Sequence, residues 1–306
     1  MARLNQMTSL TMTDLILLSA LGLSILASVL ASGSRNPTKS TINAAPAQSV
    51  GPLSTSLVDI TEASTTESEI LPSSVVEGSS YPSTLPDFSA IKDVRRKKQA
   101  FFSYLLPKIR HENDKIRANR RLLLVIRDEL RTGETLGDDD IRFISTLKAR
   151  YRLKHQADLR SSVNDLLIRV DVVPESLVLA QAASESGWGT SRFATQANNL
   201  FGVWCFREGC GLIPMRRDVG LTHEVTKYDS VQHSIVDYIY TINTHSAYIG
   251  LRNIRATTRS EKQHFDGLAL AEGLLRYSTR GIDYVREIQQ LIRVNNLQKY
   301  TLPIKV

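Results

Sequence analysis

The stretch Val170–Gly189, "VDVVPESLVLAQAASESGWG", carries the reading of this 306-residue chain's fold. Pro174 suits the first turn of a helix, where its missing N–H is no loss, and Glu175 suits the positive end of the helix dipole. From Leu177 to Ala183 the apolar side chains cover every face, and a helix that is apolar all round is a buried one. Gly187 and Gly189 then end it. A mainly α domain built around this helix is expected, with Glu185 as the acid carried at its end.

On either side of this helix the sequence stays largely helical. Residues 91–131 are charged and helix-favouring, with Pro107 expected to mark a break and Gly133 a stop. Further helices are expected at 138–152, 161–169, 231–246, 247–259, 267–276 and 282–296. Between Phe201 and Tyr228 a short hairpin-like region intervenes, in which His223–Tyr228 ("HEVTKY") alternates polar and apolar residues as a strand does. No internal repeat is apparent.

Charge is unevenly spread. Residues 1–90 hold three basic and seven acidic residues, so that residues 91–306 hold 35 basic and 24 acidic, a net +11 against +7 for the whole chain. A surface of that sign favours polyanionic or carboxylate-bearing partners. Leu15–Ala31 is a seventeen-residue run without a charge, about 25 Å as a helix and slightly short of a hydrocarbon core. It reads as an uncleaved membrane anchor, with a cleaved signal as the alternative. Gly33–Ala90 carries twenty Ser or Thr and six of the ten prolines, too little apolar surface to offset the entropy of ordering. The expected organisation is an anchor or signal at 1–32, a disordered linker at 33–90, a basic helical region at 91–155 and a catalytic domain at 156–306. The basic cluster Arg95–Lys98 falls where the linker ends, as a solvated helix start or a contact for anionic lipid or polymer.

Cys205 and Cys210, in "WCFREGCG", are the two cysteines of the chain. In the oxidising compartment that an export segment implies, they are placed to close a small disulfide loop. With no close histidine they would leave a zinc site half empty. The six histidines form no HExxH pattern, and His233 with Asp237 one turn on is the spacing of a surface hydrogen bond. No glycine loop for phosphate and no nucleic-acid module is present. Neither metal, cofactor nor nucleic-acid partner is expected.

Glu185 is the residue with chemistry to offer. At the end of an apolar helix, low dielectric and the negative end of the dipole both disfavour its charged form and raise its pKa. A carboxylic acid still protonated near neutral pH is what protonation of a leaving oxygen needs. The glycines beside it allow close approach of a bulky substrate, and Trp188 and Trp204 offer flat faces of the kind that sugar rings pack on. The plainer alternative makes Glu185 a solvated helix-end acid and each tryptophan part of the core.

Leu179–Cys205, "LAQAASESGWGTSRFATQANNLFGVWC", resembles the catalytic core of the glycoside hydrolase family 73 N-acetylglucosaminidases, the Bax-type group in particular. The likeness extends through "KYDSVQHSIVDYIYTI" to "LLRYSTRGIDYVREI", roughly 160–300. It implies a lysozyme-like α+β fold, mainly α with a small β-hairpin lobe, and cleavage after N-acetylglucosamine in peptidoglycan. A lytic transglycosylase or muramidase on the same polymer, or a wall-binding scaffold without turnover, are the alternatives. The resemblance places the catalytic acid on Glu185 and a second carboxylate on Glu224, with Glu208 and Asp218 as competitors. It places the tyrosine before the last helix on Tyr277, with Tyr284 following, while Arg276 and Arg280 depart from the family's pattern there. Trp188, Trp204, Asn199, Phe201, Tyr228 and Tyr277 are the expected substrate-binding set, Asn199 and Phe201 chiefly by shaping their loop. The implied partners are peptidoglycan strands and, through the N-terminal segment, a membrane. The implied location is the bacterial envelope, anchored in the inner membrane with the catalytic part in the periplasm, or free there if the segment is cleaved. Whether the reaction retains, inverts or uses the substrate's own acetamido group depends on a carboxylate separation that sequence does not contain.

Overall fold

A computed structural model describes residues 85–153, 158–215, 217, 220–261 and 265–303. The expected membrane segment at 1–32, and the linker as far as residue 84, lie outside the described residues. Among those described, no helix is long and apolar enough to cross a membrane. The last residues expected of the linker are folded. Phe88–Ala90 form a 3-10 turn capped by Asp87, and Phe88 is buried with its ring 5.4 Å from that of Phe101. An aromatic side chain with a hydrophobic seat recovers more free energy than ordering these few residues costs.

Helix α1 (Val94–Thr132) begins where the Asp93 carboxylate accepts the Arg96 amide at 2.7 Å and stops at Gly133. The break expected at Pro107 is corrected, because the helix runs through it. The proline leaves the Ser103 carbonyl without its helical donor, but Ser103 is exposed, so water can replace it. Phe101, Phe102, Leu105 and Ile109 are meanwhile buried and hold the helix on the core. Next come α2 (Asp138–Arg150), with three aspartates on its first turn, and α3 (Leu159–Arg169), capped by Asp158.

Helix α4 (Glu175–Ser186) is the central element foreseen, with every residue from Glu175 to Ala183 buried. It packs against α1, α8 (Gly267–Ala271), α9 (Ile282–Val294) and the 3-10 turn Leu297–Tyr300. One hydrophobic core joins residues from Phe88 to Leu297, so the helices of 91–155 and of 156–306 share it rather than forming separate cores. Asp171, just before α4, is buried and ion-paired to Arg259 at 2.5 Å, Arg120 at 3.4 Å and Arg255 at 3.9 Å. It ties α1 to α7 (Ile249–Ser260).

After α4 the chain makes a short helix, α5 (Arg192–Ala197), which the sequence had not announced. A three-stranded antiparallel sheet follows: β1 (Trp204–Cys205), β2 (Gly211–Leu212) and β3 (Glu224–Thr226), in the order β1-β3-β2. Cys205 pairs with Glu224 and Leu212 with Val225 in its register. Helix α6 (Val231–Thr244) returns the chain to the core. The helix expected at 267–276 ends earlier, with α8 giving way to a 3-10 turn at Glu272–Leu274. Among the described residues the fold is mainly helical with one small antiparallel sheet.

Candidate active site

Glu185 occupies the last turn of α4, one residue before its final Ser186 and two before Gly187, which takes the left-handed φ of 55° and turns the chain away. The residue keeps some exposure while its carboxyl is largely surrounded by protein. The Tyr284 hydroxyl, from α9, donates to Glu185 Oε1 at 2.7 Å. Tyr284 in turn accepts from Gln181 Nε2 at 2.9 Å, and Gln181 Oε1 accepts from the Tyr238 hydroxyl of α6. Among the described residues Oε2 of Glu185 has no hydrogen-bond partner.

Burial is the largest influence on this carboxyl and pushes its pKa up to about 7. The Tyr284 hydrogen bond works against the rise, the charge of Glu287 adds to it, and Arg280 opposes it. Glu287 is held beside the site by Ser184 Oγ, which donates to it at 2.7 Å, and by an ion pair with Arg280. Arg280, the departure from the family's pattern, is thereby occupied with Glu287, its guanidinium 5.7 Å from the Tyr284 ring.

The other aromatic residues form a wall around the acid. Tyr277 stacks on Tyr284 with centroids 5.2 Å apart and planes 5° from parallel. Its hydroxyl donates to the Phe201 carbonyl at 3.0 Å, and the Phe201 ring stacks on Tyr238 at 4.0 Å. Asn199 is buried and organises the same loop, its amide donating to the Val203 and Thr226 carbonyls at 2.9 Å and its oxygen accepting from the Val203 amide at 3.1 Å. Glu185, Tyr277 and Phe201 are therefore brought into one constellation. Gln181, Tyr238 and Glu287 belong to it without having been singled out in the sequence. Their signal was weak, since a glutamine inside an apolar helix and a tyrosine in an apolar run both read as core.

The remaining candidates have other partners, although Tyr228 lies close enough to Tyr277 to act on its pKa. Trp188 packs its ring against Phe101 and Phe102 at 5.8 and 5.4 Å, with Lys98 Nζ 4.7 Å above it. Trp204 stacks on His223 at 4.0 Å. The Tyr228 hydroxyl donates to Asp237. Cys205 and Cys210 are joined in a disulfide. The amides of Gly209, within that loop, and of Gly211, the first residue of β2, donate to Glu224 at 3.1 and 2.7 Å, and these bonds hold the Glu224 carboxyl below its ordinary pKa. Glu224 is not among the groups acting on Glu185. Glu208 is exposed, and Asp218 lies outside the described residues. Cys205, Cys210 and Glu224 converge, but the disulfide leaves no thiolate to bind an ion.

The glucosaminidase family, described as mannosyl-glycoprotein endo-beta-N-acetylglucosaminidase, matches residues 161–297. Protein bax of Escherichia coli strain K12 is 34% identical over 207 residues, which cover 67% of this chain and 72% of that protein. Among solved structures, the catalytic domain of the autolysin Auto from Listeria monocytogenes aligns at a TM-score of 0.36 and 17% identity. The alignment covers 69% of this chain and 92% of that one.

Proposed function

The chain belongs to the Bax-type glucosaminidases, and on that premise we propose that it is an endo-β-N-acetylglucosaminidase. It cleaves the bond after N-acetylglucosamine in peptidoglycan within a lysozyme-like fold, and Glu185 is the acid. The observation that carries this reading is the Glu185 carboxyl, protonated up to about pH 7 because protein surrounds it. Tyr284 occupies Oε1, which leaves Oε2 to hold the proton and pass it to the departing glycosidic oxygen.

A glycosidase divides its labour between one neutral and one charged carboxyl, and environments that push two pKa values apart mark the pair. Glu185 is raised and Glu224 is lowered, so Glu224, set in the sheet and not among the groups acting on Glu185, has the charge state of the second carboxylate. One observation favours a second reading. Both Glu224 oxygens are taken by backbone amides, and a lytic transglycosylase needs a single essential acid.

Digestion of purified cell wall followed by mass spectrometry separates the two. Fragments ending in reducing N-acetylglucosamine are expected, and anhydromuramic ends would move the assignment to the transglycosylase. Glu185→Gln should lower turnover about a thousandfold or more with folding intact, and Glu224→Gln about a hundredfold. Survival of activity in the first variant overturns the acid, and a mild loss in the second removes Glu224 from the chemistry. The expected setting is the bacterial envelope, with residues 1–32 as the hold on a membrane. Loss of membrane association on deleting those residues tests that placement.

A further inference from the structure

A groove of about 610 Å3 opens on the α1 side of the molecule, between the first turns of α1, the end of α9 and the 3-10 turn Leu297–Tyr300. Phe102 and Tyr300, with rings 6.2 Å apart, contribute its aromatic lining. Arg95, Lys98 and Lys299 line it as well. Among the described residues no carboxylate pairs with any of the three. Lys98 donates to the Asn295 side chain at 3.1 Å, and Lys299 lies 4.9 Å from the Tyr300 ring centroid. Three like charges gathered without a counter-ion, beside apolar surface, make a receptor for anionic groups on a partly apolar stem.

The groove is connected to the candidate active site through Trp188. This residue follows Glu185 by three positions, and its ring lies against Phe102 and under Lys98, both of which line the groove. A polymer crossing Glu185 thus has a cationic trough beyond the turn that ends α4.

We propose that this groove is a second substrate site, which takes the carboxylate-bearing peptide branches of the wall polymer while the glycan lies across Glu185. The proposal rests on the peptidoglycan reading above. Peptidoglycan offers short peptides with several carboxylates at regular intervals along the sugar chain, and the charge of the groove complements them. An acidic stretch of this same chain, Asp59–Glu77, has the complementary sign too and is the rival occupant.

The test compares the full chain with Arg95→Gln/Lys98→Gln/Lys299→Gln on two substrates, intact cell wall and the same wall stripped of peptides by an amidase. On intact wall KM should rise about tenfold in the variant with kcat within about twofold, as for lost peripheral charges. On stripped glycan the two proteins should be equal. Because Lys98 also contacts Trp188, Arg95→Gln/Lys299→Gln is run beside it and should show a smaller rise in KM on intact wall alone. Equal KM values on intact wall overturn the proposal while leaving hydrolysis in place. A lower KM in the variant would place the chain's own acidic stretch in the groove and also overturn it. If neither substrate is cut by the wild type, the peptidoglycan reading fails separately. Co-sedimentation of the uncut wall then judges the groove, with weaker pelleting of the variant expected and equal pelleting refuting it.

Discussion

Tyr284 and Glu287 act on the same carboxyl in opposite directions. The Tyr284 hydroxyl steadies the charged form of Glu185 and Glu287 disfavours it, so each variant has a signed consequence. With Glu185 as the proposed acid the neutral form is the active one, and activity should fall as pH rises past about 7. Tyr284→Phe removes a bond that lowers the pKa, so the alkaline limb of kcat/KM should move to higher pH while kcat drops. Glu287→Gln should move that limb to lower pH, because it deletes a repulsion and frees Arg280. A pH–rate profile of each variant checks both signs. The same pKa bears on stability. A carboxyl raised in the folded state favours folding fully below its unfolded value, and that contribution is lost as pH rises through about 7. Glu185→Gln should therefore stabilise the protein by roughly 3 kcal/mol above pH 7, measured by urea unfolding. The acid itself was legible in the sequence, because its helix is apolar on all sides. Tyr284 entered only through the family resemblance and Glu287 not at all, since both come from α9 about a hundred residues away and only the packing of α9 on α4 brings them to it.

The elements show what sequence could and could not supply. Helix α4 was readable end to end, because Pro174, the continuous apolar run and Gly187 all state the same thing. Pro107 misled, since a local breaking rule yields where the freed carbonyl meets water and neighbouring residues are buried. The sheet was visible only as the alternation of "HEVTKY", because two-residue strands leave no periodic trace. Asp171 joins elements that sequence does not relate. Burial alone would raise its pKa, but the bond from Arg259 and the charges of Arg255 and Arg120 carry it below the ordinary value. Asp171→Asn would strand three cations and should cost about 3 kcal/mol or more in unfolding free energy. In the wild type this contribution is present above the unfolded carboxylate range and is lost as pH falls through the lower folded value. Urea titrations of wild type and variant at neutral and acid pH check both statements.

At the scale of the whole molecule, the sequence divides near residue 90 by composition, but the folded core begins slightly earlier, at Phe88. That residue fills a seat against Phe101 and the turn after Glu185. A Cβ on Gly189 would lie 2.7 Å from the Phe88 ring, so glycine is what permits the contact. Phe88→Ala should cost about 3 kcal/mol by emptying that seat. It should also lower turnover, although Phe88 is some hundred residues from Glu185 in sequence, and Tm with wall-digestion rates measured together would reveal both effects. The mechanical consequence reaches further. Leu85 begins the described chain, and three residues on Phe88 seats against Gly189 in the turn that follows Glu185. A pull on the chain at Leu85 would be felt first at that turn, so force applied there and the setting of the Glu185 carboxyl would share one lever.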